Sequence, residues 1–165
     1  PASLTKIMTL YLLFERLEAG RLKLDSKLEV SGYATEQAPT KLGLKAGQTI
    51  AVEDAIKALV TKSANDIAVV VAEALAGSED EFAKLMTRKA RALGMSRTLY
   101  KNASGLPDDE QVTTARDQAL LAMAIQDRLS HGVACRSEIT IACSAASRAW
   151  TASRPAIRAH PDSIS

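Results

Sequence analysis

Between residues 4 and 125, apolar side chains return every three or four positions in one short stretch after another, and glycines and capping residues bound the stretches. A chain patterned this way has to bury helix faces against one another. Ile7, Leu10, Tyr11, Phe14 and Leu17 predict a helix over 4–19, with Gly20 as its stop. Glu53–Val60 reads as a short helix. Ile67, Val70, Val71, Ala74 and Leu75 form the buried stripe of the next, opened by Ser63 and ended by Gly77. Ser78 and Glu81 make a capping box for a helix carrying Phe82, Leu85, Met86, Ala90 and Leu93, which stops at Gly94. Thr114 and Asp117 make another, ahead of Ala119–Ile125. Leu24–Val30 alternates like a strand, Lys41–Ile50 reads as two extended pieces around a turn, and Asn102–Asp109 is a loop.

Hydrophobic residues make up 47% of the 165, which supplies a core and excludes global disorder. Aromatics are only 4%, so that core is aliphatic. A net charge of +2 is too near neutral for a nucleic-acid footprint, and no nucleic-acid partner is expected. No apolar run is long enough to span a bilayer. The chain opens at Pro1 inside what reads as a motif, so it is taken as a piece of a longer protein.

Residue usage changes near Arg128. Residues 128–165 hold five Arg, no Lys, one Glu and one Asp, together with seven Ser and eight Ala. Both cysteines (Cys135, Cys143), both histidines (His131, His160) and Trp150 fall there. Neither the cysteines nor the histidines have the short spacing zinc prefers, and spacing alone does not pair the cysteines. The expected division is therefore a body over 1–127 and an aberrant tail over 128–165.

Chemistry concentrates at two helix starts. Ser3 and Lys6 lie three apart, on one helix face, so hydroxyl and amine can meet. A serine is a poor nucleophile until a base takes its proton, and a lysine serves as that base only when its pKa falls. The apolar run after Lys6 offers a desolvating wall, and the helix N-terminus offers N–H groups to an oxyanion at Ser3. The bland alternative makes Ser3 an N-cap and Lys6 a solvated surface lysine. Ser63-Ala64-Asn65 stands at the next start of interest. Locally, Ser63 with Asp66 reads as a capping box. Functionally, Ser63 would relay a proton and the Asn65 amide would hold both Lys6 and a substrate carbonyl, since an amide donates and accepts.

Ser-x-x-Lys followed by Ser-x-Asn at this distance resembles the penicillin-binding, serine-type D-alanyl-D-alanine carboxypeptidases, whose motif set also includes Lys-Thr-Gly. "PASLTKIMT", "APTKLGLKAGQTI", "LVTKSANDIAVVVAEALAGSE", "FAKLMTRKARALGM" and "NASGLPDDEQVTTARD" look like the low-molecular-mass members, and the resemblance covers about residues 1–127. It implies Ser3 as the acylated nucleophile, Lys6 as general base, and Ser63 and Asn65 as the second motif. The implied substrate is the D-Ala-D-Ala end of peptidoglycan stem peptides, with penicillins acylating the same serine. No metal or organic cofactor is implied. The implied setting is extracytoplasmic (periplasmic), with membrane association in the intact protein. The implied fold is mixed α/β, of the β-lactamase and DD-peptidase kind: an antiparallel sheet flanked by helices. This chain should keep the helical lobe of a partial DD-peptidase (transpeptidase-like) domain and lack much of the sheet, leaving apolar helix faces exposed.

Lys-Thr-Gly does not occur, and no lysine follows Lys101. Reading from the third base of each codon, Trp150–Ile157 can encode Asp-Gly-Ile-Lys-Thr-Gly-Tyr. The same shift over Ile139–Ser165 permits a sequence resembling the family's third-motif region throughout. The tail is thus expected to be an out-of-frame translation, broken between Arg128 and Ile139, and the chain as written is expected not to hydrolyse D-Ala-D-Ala. Two other readings are a β-lactamase or D,D-endopeptidase of the same chemistry, and a non-catalytic helical module that binds a partner. A common β-lactamase needs a glutamate to activate water; Asn102–Asp109 offers none, although Glu110 is close.

Overall fold

The computed structural model describes residues 2–131. A 3-10 turn over Ala2–Leu4 leads into α1 (Thr5–Glu18). Then come β1 (Lys27–Glu29), α2 (Gly32–Thr35), β2 (Thr49–Ala51), α3 (Val52–Thr61), α4 (Asn65–Ala76), α5 (Glu79–Ala92) and α6 (Ala115–His131). The tail features singled out above at 132–165, including Cys135, Cys143 and Trp150, lie outside the described residues.

Two helices form the interior. In α4 all of Asn65–Ala72 is buried, because α1, α2, α3, α5 and β1 pack around it. A one-sided stripe was expected; instead the -Ile-Ala-Val-Val-Val-Ala- run is apolar all round and sits centrally, while Ala74, towards the helix end, is exposed. α1 is similar: Thr5, Lys6 and Met8–Phe14 are all buried. Phe82, Met86 and Ala90 of α5 and Leu121 of α6 complete the core. The helices therefore cover one another's stripes. The exposed large apolar side chains among the described residues are Leu4, Tyr33, Leu42, Val112 and Met123, rather than whole helix faces.

β1 and β2 pair antiparallel, with Leu28 opposite Ile50 and both facing the core. Of the two extended pieces expected over Lys41–Ile50, the second forms as the start of β2, after a turn at 46–47; residues 41–45 are irregular, with Leu42 N and Gly43 N donating to Asp66. Ser78 Oγ accepts from Glu81 N and Thr114 Oγ1 from Asp117 N, the hydroxyl half of each expected capping box; the carboxylates turn elsewhere, Glu81 to Lys84 and Asp117 to Arg97 N and Thr98 Oγ1. Gly77 and Gly94 take positive φ where α4 and α5 stop. α6 is longer than expected and crosses the change in composition at 127/128. Arg128 lies over the Tyr11 ring, 4.4 Å from its centroid, and pairs with Glu15 and Glu18 of α1.

Candidate active site

Lys6 is 4% exposed, in the first turn of α1. Its Nζ donates to Asn65 Oδ1 at 2.8 Å and to the Ser104 carbonyl at 2.6 Å. Both partners are neutral acceptors. Burial alone brings the Lys6 amine down from 10.5 to about 8. A neutral lysine has two N–H groups and one lone pair. Two carbonyl oxygens take both hydrogens, which leaves the lone pair directed elsewhere. The solvated-lysine alternative fails on this burial.

Ser3 sits in the 3-10 turn just ahead of α1 and is exposed. It does not cap the helix: Leu4 occupies the N-cap position and no side chain bonds there. Among the described residues no hydrogen bond joins Ser3 to Lys6.

The Ser63–Asp66 capping box does not form either. Ala64 is the N-cap of α4, with no side-chain bond, and Ser63 takes a left-handed φ of +54°. Such a backbone costs a non-glycine residue about 1–2 kcal/mol and persists only where its surroundings impose it. Here Thr40 Oγ1 donates to the Lys62 and Ser63 carbonyls. Asp66 spends its carboxylate across space, accepting from Leu42 N and Gly43 N as well as from Ile67 N. Asn65 grips the same segment, since its Nδ2 donates to the Ala38 and Pro39 carbonyls and its backbone N to Thr40 O. One amide thus holds Lys6 on one side and residues 38–40 on the other.

A second loop closes the site. Thr9 Oγ1 donates to Ala103 O, one helical turn beyond the contact between Lys6 and Ser104. Gly105, at φ +85°, lies against Ala2 so closely that a Cβ there would fall 1.9 Å from the Ala2 carbonyl oxygen. The sequence marked Asn102–Asp109 only as a loop and missed the Ser104 carbonyl, because a main-chain acceptor has no side-chain signature. Its signal was indirect: Asn102-Ala103-Ser104-Gly105 is a turn composition placed where a buried lysine needs an acceptor. Glu110 is exposed and paired with Lys101.

The structure therefore joins Lys6 to Asn65, sets Ser3 at the head of the Lys6 helix, and sets Ser63 two residues from Asn65 in strained backbone. The D-alanyl-D-alanine carboxypeptidase family model matches residues 1–156. The chain belongs to that family. It is 38% identical over 122 residues to the D-alanyl-D-alanine carboxypeptidase DacF of Bacillus subtilis, covering 74% of this chain and 31% of that protein. To DacC of Escherichia coli it is 36% identical over 131 residues, covering 76% and 33%. The crystal structure of the carboxypeptidase DacD from Francisella tularensis superposes with a TM-score of 0.74 at 37% identity, over 79% of this chain and 31% of that one. The ampicillin-bound penicillin-binding protein D2 of Listeria monocytogenes gives 0.61 at 33%, over 78% and 53%. The fold is that of the DD-peptidases, present here as a helical lobe with a two-stranded sheet among the described residues. The chain spans about a third of the length of the curated relatives named. No described helix is long and apolar enough to cross a membrane, and no group of His, Cys, Asp and Glu among the described residues is arranged to hold a metal ion.

Proposed function

We propose that the protein is a serine-type D-Ala-D-Ala carboxypeptidase acting on peptidoglycan stem peptides, with Ser3 as nucleophile. The observation that carries this is the buried Lys6 amine, held by Asn65 Oδ1 and Ser104 O and brought to about 8. With that midpoint, about a tenth of the molecules hold a neutral amine at pH 7. The neutral amine takes the Ser3 proton as Oγ attacks the carbonyl between the two D-alanines. N–H groups at the start of the Lys6 helix favour the developing oxyanion. Ser63 passes the proton to the departing amine, and D-alanine leaves. Water then hydrolyses the Ser3 ester and restores the enzyme. Asn65 orients Lys6 and, with Nδ2 committed to the Ala38 and Pro39 carbonyls, meets the substrate amide through the second lone pair of Oδ1, which accepts its N–H. A β-lactam presents the same carbonyl to Ser3. The site lies outside the cytoplasmic membrane, with membrane association supplied by the intact protein.

The same reading makes the aberrant tail over 128–165 an out-of-frame translation, broken somewhere between Arg128 and Ile139, so that the chain as written lacks the lysine that binds the substrate carboxylate. The gene's DNA across codons 128–157 tests this; codons that cannot spell Lys-Thr-Gly in another frame refute it.

For the activity, the frame-restored protein and the chain as written are incubated with fluorescent penicillin. The restored protein is expected to stay labelled, and Ser3→Ala to abolish the label. No label at Ser3 in a folded, restored protein overturns the proposal and favours a non-catalytic module. Rapid loss of label with turnover points to a β-lactamase instead. Against that outcome, Glu110 is engaged at the surface by Lys101, and both oxygens of the buried Glu79 carboxylate are already occupied.

A further inference from the structure

Glu79 is 8% exposed and stands at the first position of α5. Its Oε2 accepts from the Tyr33 hydroxyl of α2 at 2.8 Å, and its Oε1 accepts from Ala103 N at 2.9 Å. The carboxylate holds the Tyr33 hydroxyl protonated, raising its pKa chiefly through that bond. Ala103 is thereby gripped at both ends, because its carbonyl accepts from Thr9 Oγ1 at 2.8 Å. The next carbonyl, that of Ser104, is the one that takes a Lys6 hydrogen. The loop resting on the Lys6 amine is thus tied to α5 by a buried carboxylate that the catalytic steps above do not use.

We propose that Glu79 is a positioning residue for Lys6: held by Tyr33, its carboxylate fixes the Ala103–Ser104 peptide so that the Ser104 carbonyl meets the Lys6 amine and shuts water away from it. The inference rests on Lys6 as the base, and it deepens that assignment. The effect runs through the backbone and not through charge. The lowered Lys6 amine traces to burial. Asp66, on the packed α4, is committed to Leu42, Gly43 and Ile67. Glu15, Glu18, Lys89 and Arg128 gather at the far end of α1.

The two mechanisms predict opposite signs. Releasing the loop lets water reach Lys6 and raises its midpoint towards that of an ordinary lysine. Removing a nearby negative charge lowers it. The Lys6 titration is read by NMR on the whole chain carrying 13C-labelled lysine, in wild type, Glu79→Ala, Glu79→Gln and Glu79→Asp. Glu79→Ala is expected to raise the midpoint by about one pH unit or more. Glu79→Gln, whose amide oxygen still accepts from Ala103 N, is expected to keep the wild-type midpoint. Glu79→Asp withdraws the carboxylate by one methylene, keeps the charge, and is expected to raise it; this variant decides the matter if the alanine variant does not fold. An unchanged midpoint in a folded alanine or aspartate variant, or a lowered one in Glu79→Gln, overturns the proposal. The readout needs no acylation. A Lys6 that titrates as described in a protein that penicillin does not label therefore sinks the enzyme and leaves the positioning intact.

Discussion

The Lys6 amine and the Asn65 carboxamide oxygen, 59 positions apart in the chain, lie 2.8 Å from each other inside the protein. Two interior helices create that meeting. α1 and α4 are buried nearly all round at their N-terminal ends, so a polar residue on either must find its partner on a neighbour. The pair exists because these helices pack, and the packing tolerates it because the amide and the Ser104 carbonyl satisfy the amine.

The state of Lys6 gives a signed pH dependence. Its midpoint is about 8 in the folded chain against 10.5 unfolded, so the unfolded chain binds the extra proton between those values. Burial of Lys6 therefore costs stability below pH 8, and the cost is relieved as pH rises towards 10.5. Urea titrations of wild type and Lys6→Met should show the wild type gaining relative to the variant across that window. A gain confined to acidic pH would contradict the assignment. In the frame-restored protein, the rate of penicillin acylation should rise with pH through about 8, and Lys6→Ala should remove it.

Asn65 joins two loops to one helix start, so its variants separate stability from electrostatics. Asn65→Ala leaves Lys6 Nζ and the Ala38 and Pro39 carbonyls without their partner. The expected loss is about 2–4 kcal/mol, measured by chemical denaturation. Asn65→Asp keeps an acceptor for Lys6 but turns a carboxylate towards those two carbonyls. It should raise the Lys6 midpoint, since an opposite charge now faces the ammonium. A midpoint that stays near 8 would mean that Lys6 and residue 65 are apart in solution.

How far the sequence reached depends on whether each feature is local. Ser78 with Glu81 and Thr114 with Asp117 were legible because both partners lie within one turn. The stops at Gly77 and Gly94 were legible for the same reason. Ser63 with Asp66 carries an equally good local signature and misled, because Ser63 is held in left-handed backbone and Ala64 takes the N-cap position in its place. The first of the extended pieces expected over Lys41–Ile50 misled with it, since the N–H groups of Leu42 and Gly43 answer to Asp66 of α4 and not to a strand. Lys6 and Asn65 were legible as a spaced motif. Their third partner, the Ser104 carbonyl, and the Glu79 support behind it were not, because a contact across 98 positions leaves no periodicity to read.

Gly105 separates close packing from backbone preference. Gly105→Ala would place a Cβ 1.9 Å from Ala2 O and 3.0 Å from Thr5 Oγ1, at φ +85°. The backbone preference alone costs about 1–2 kcal/mol, and the clash must further displace the turn that carries Ser3. Gly20→Ala and Gly43→Ala share the positive φ but meet nothing within 4 Å. They should therefore lose only the backbone part. A thermal-melt series should rank Gly105→Ala well below the other two, and the restored protein should show slowed labelling at Ser3 for that variant alone. Equal losses at all three positions would place the 102–105 loop away from Ala2.

Arg128 tests where the folded body ends. Its guanidinium covers the Tyr11 ring, donates to the Tyr11 hydroxyl at 3.0 Å, and meets Glu15 and Glu18, so it closes the last turns of α6 onto α1. Two carboxylates and a ring face suit a planar, forked cation better than an ammonium, which makes Arg128→Lys a non-conservative change. Arg128→Met should cost about 1–2 kcal/mol. The loss should be concentrated in α6 and not spread over the core, because Leu121 still anchors the earlier part of that helix. Hydrogen exchange resolved along the chain checks this: protection should fall across residues 125–131, hold in α4, and fall only partly in the lysine variant. Protection unchanged at 125–131 in Arg128→Met would show that the helix end does not depend on its clasp to Tyr11.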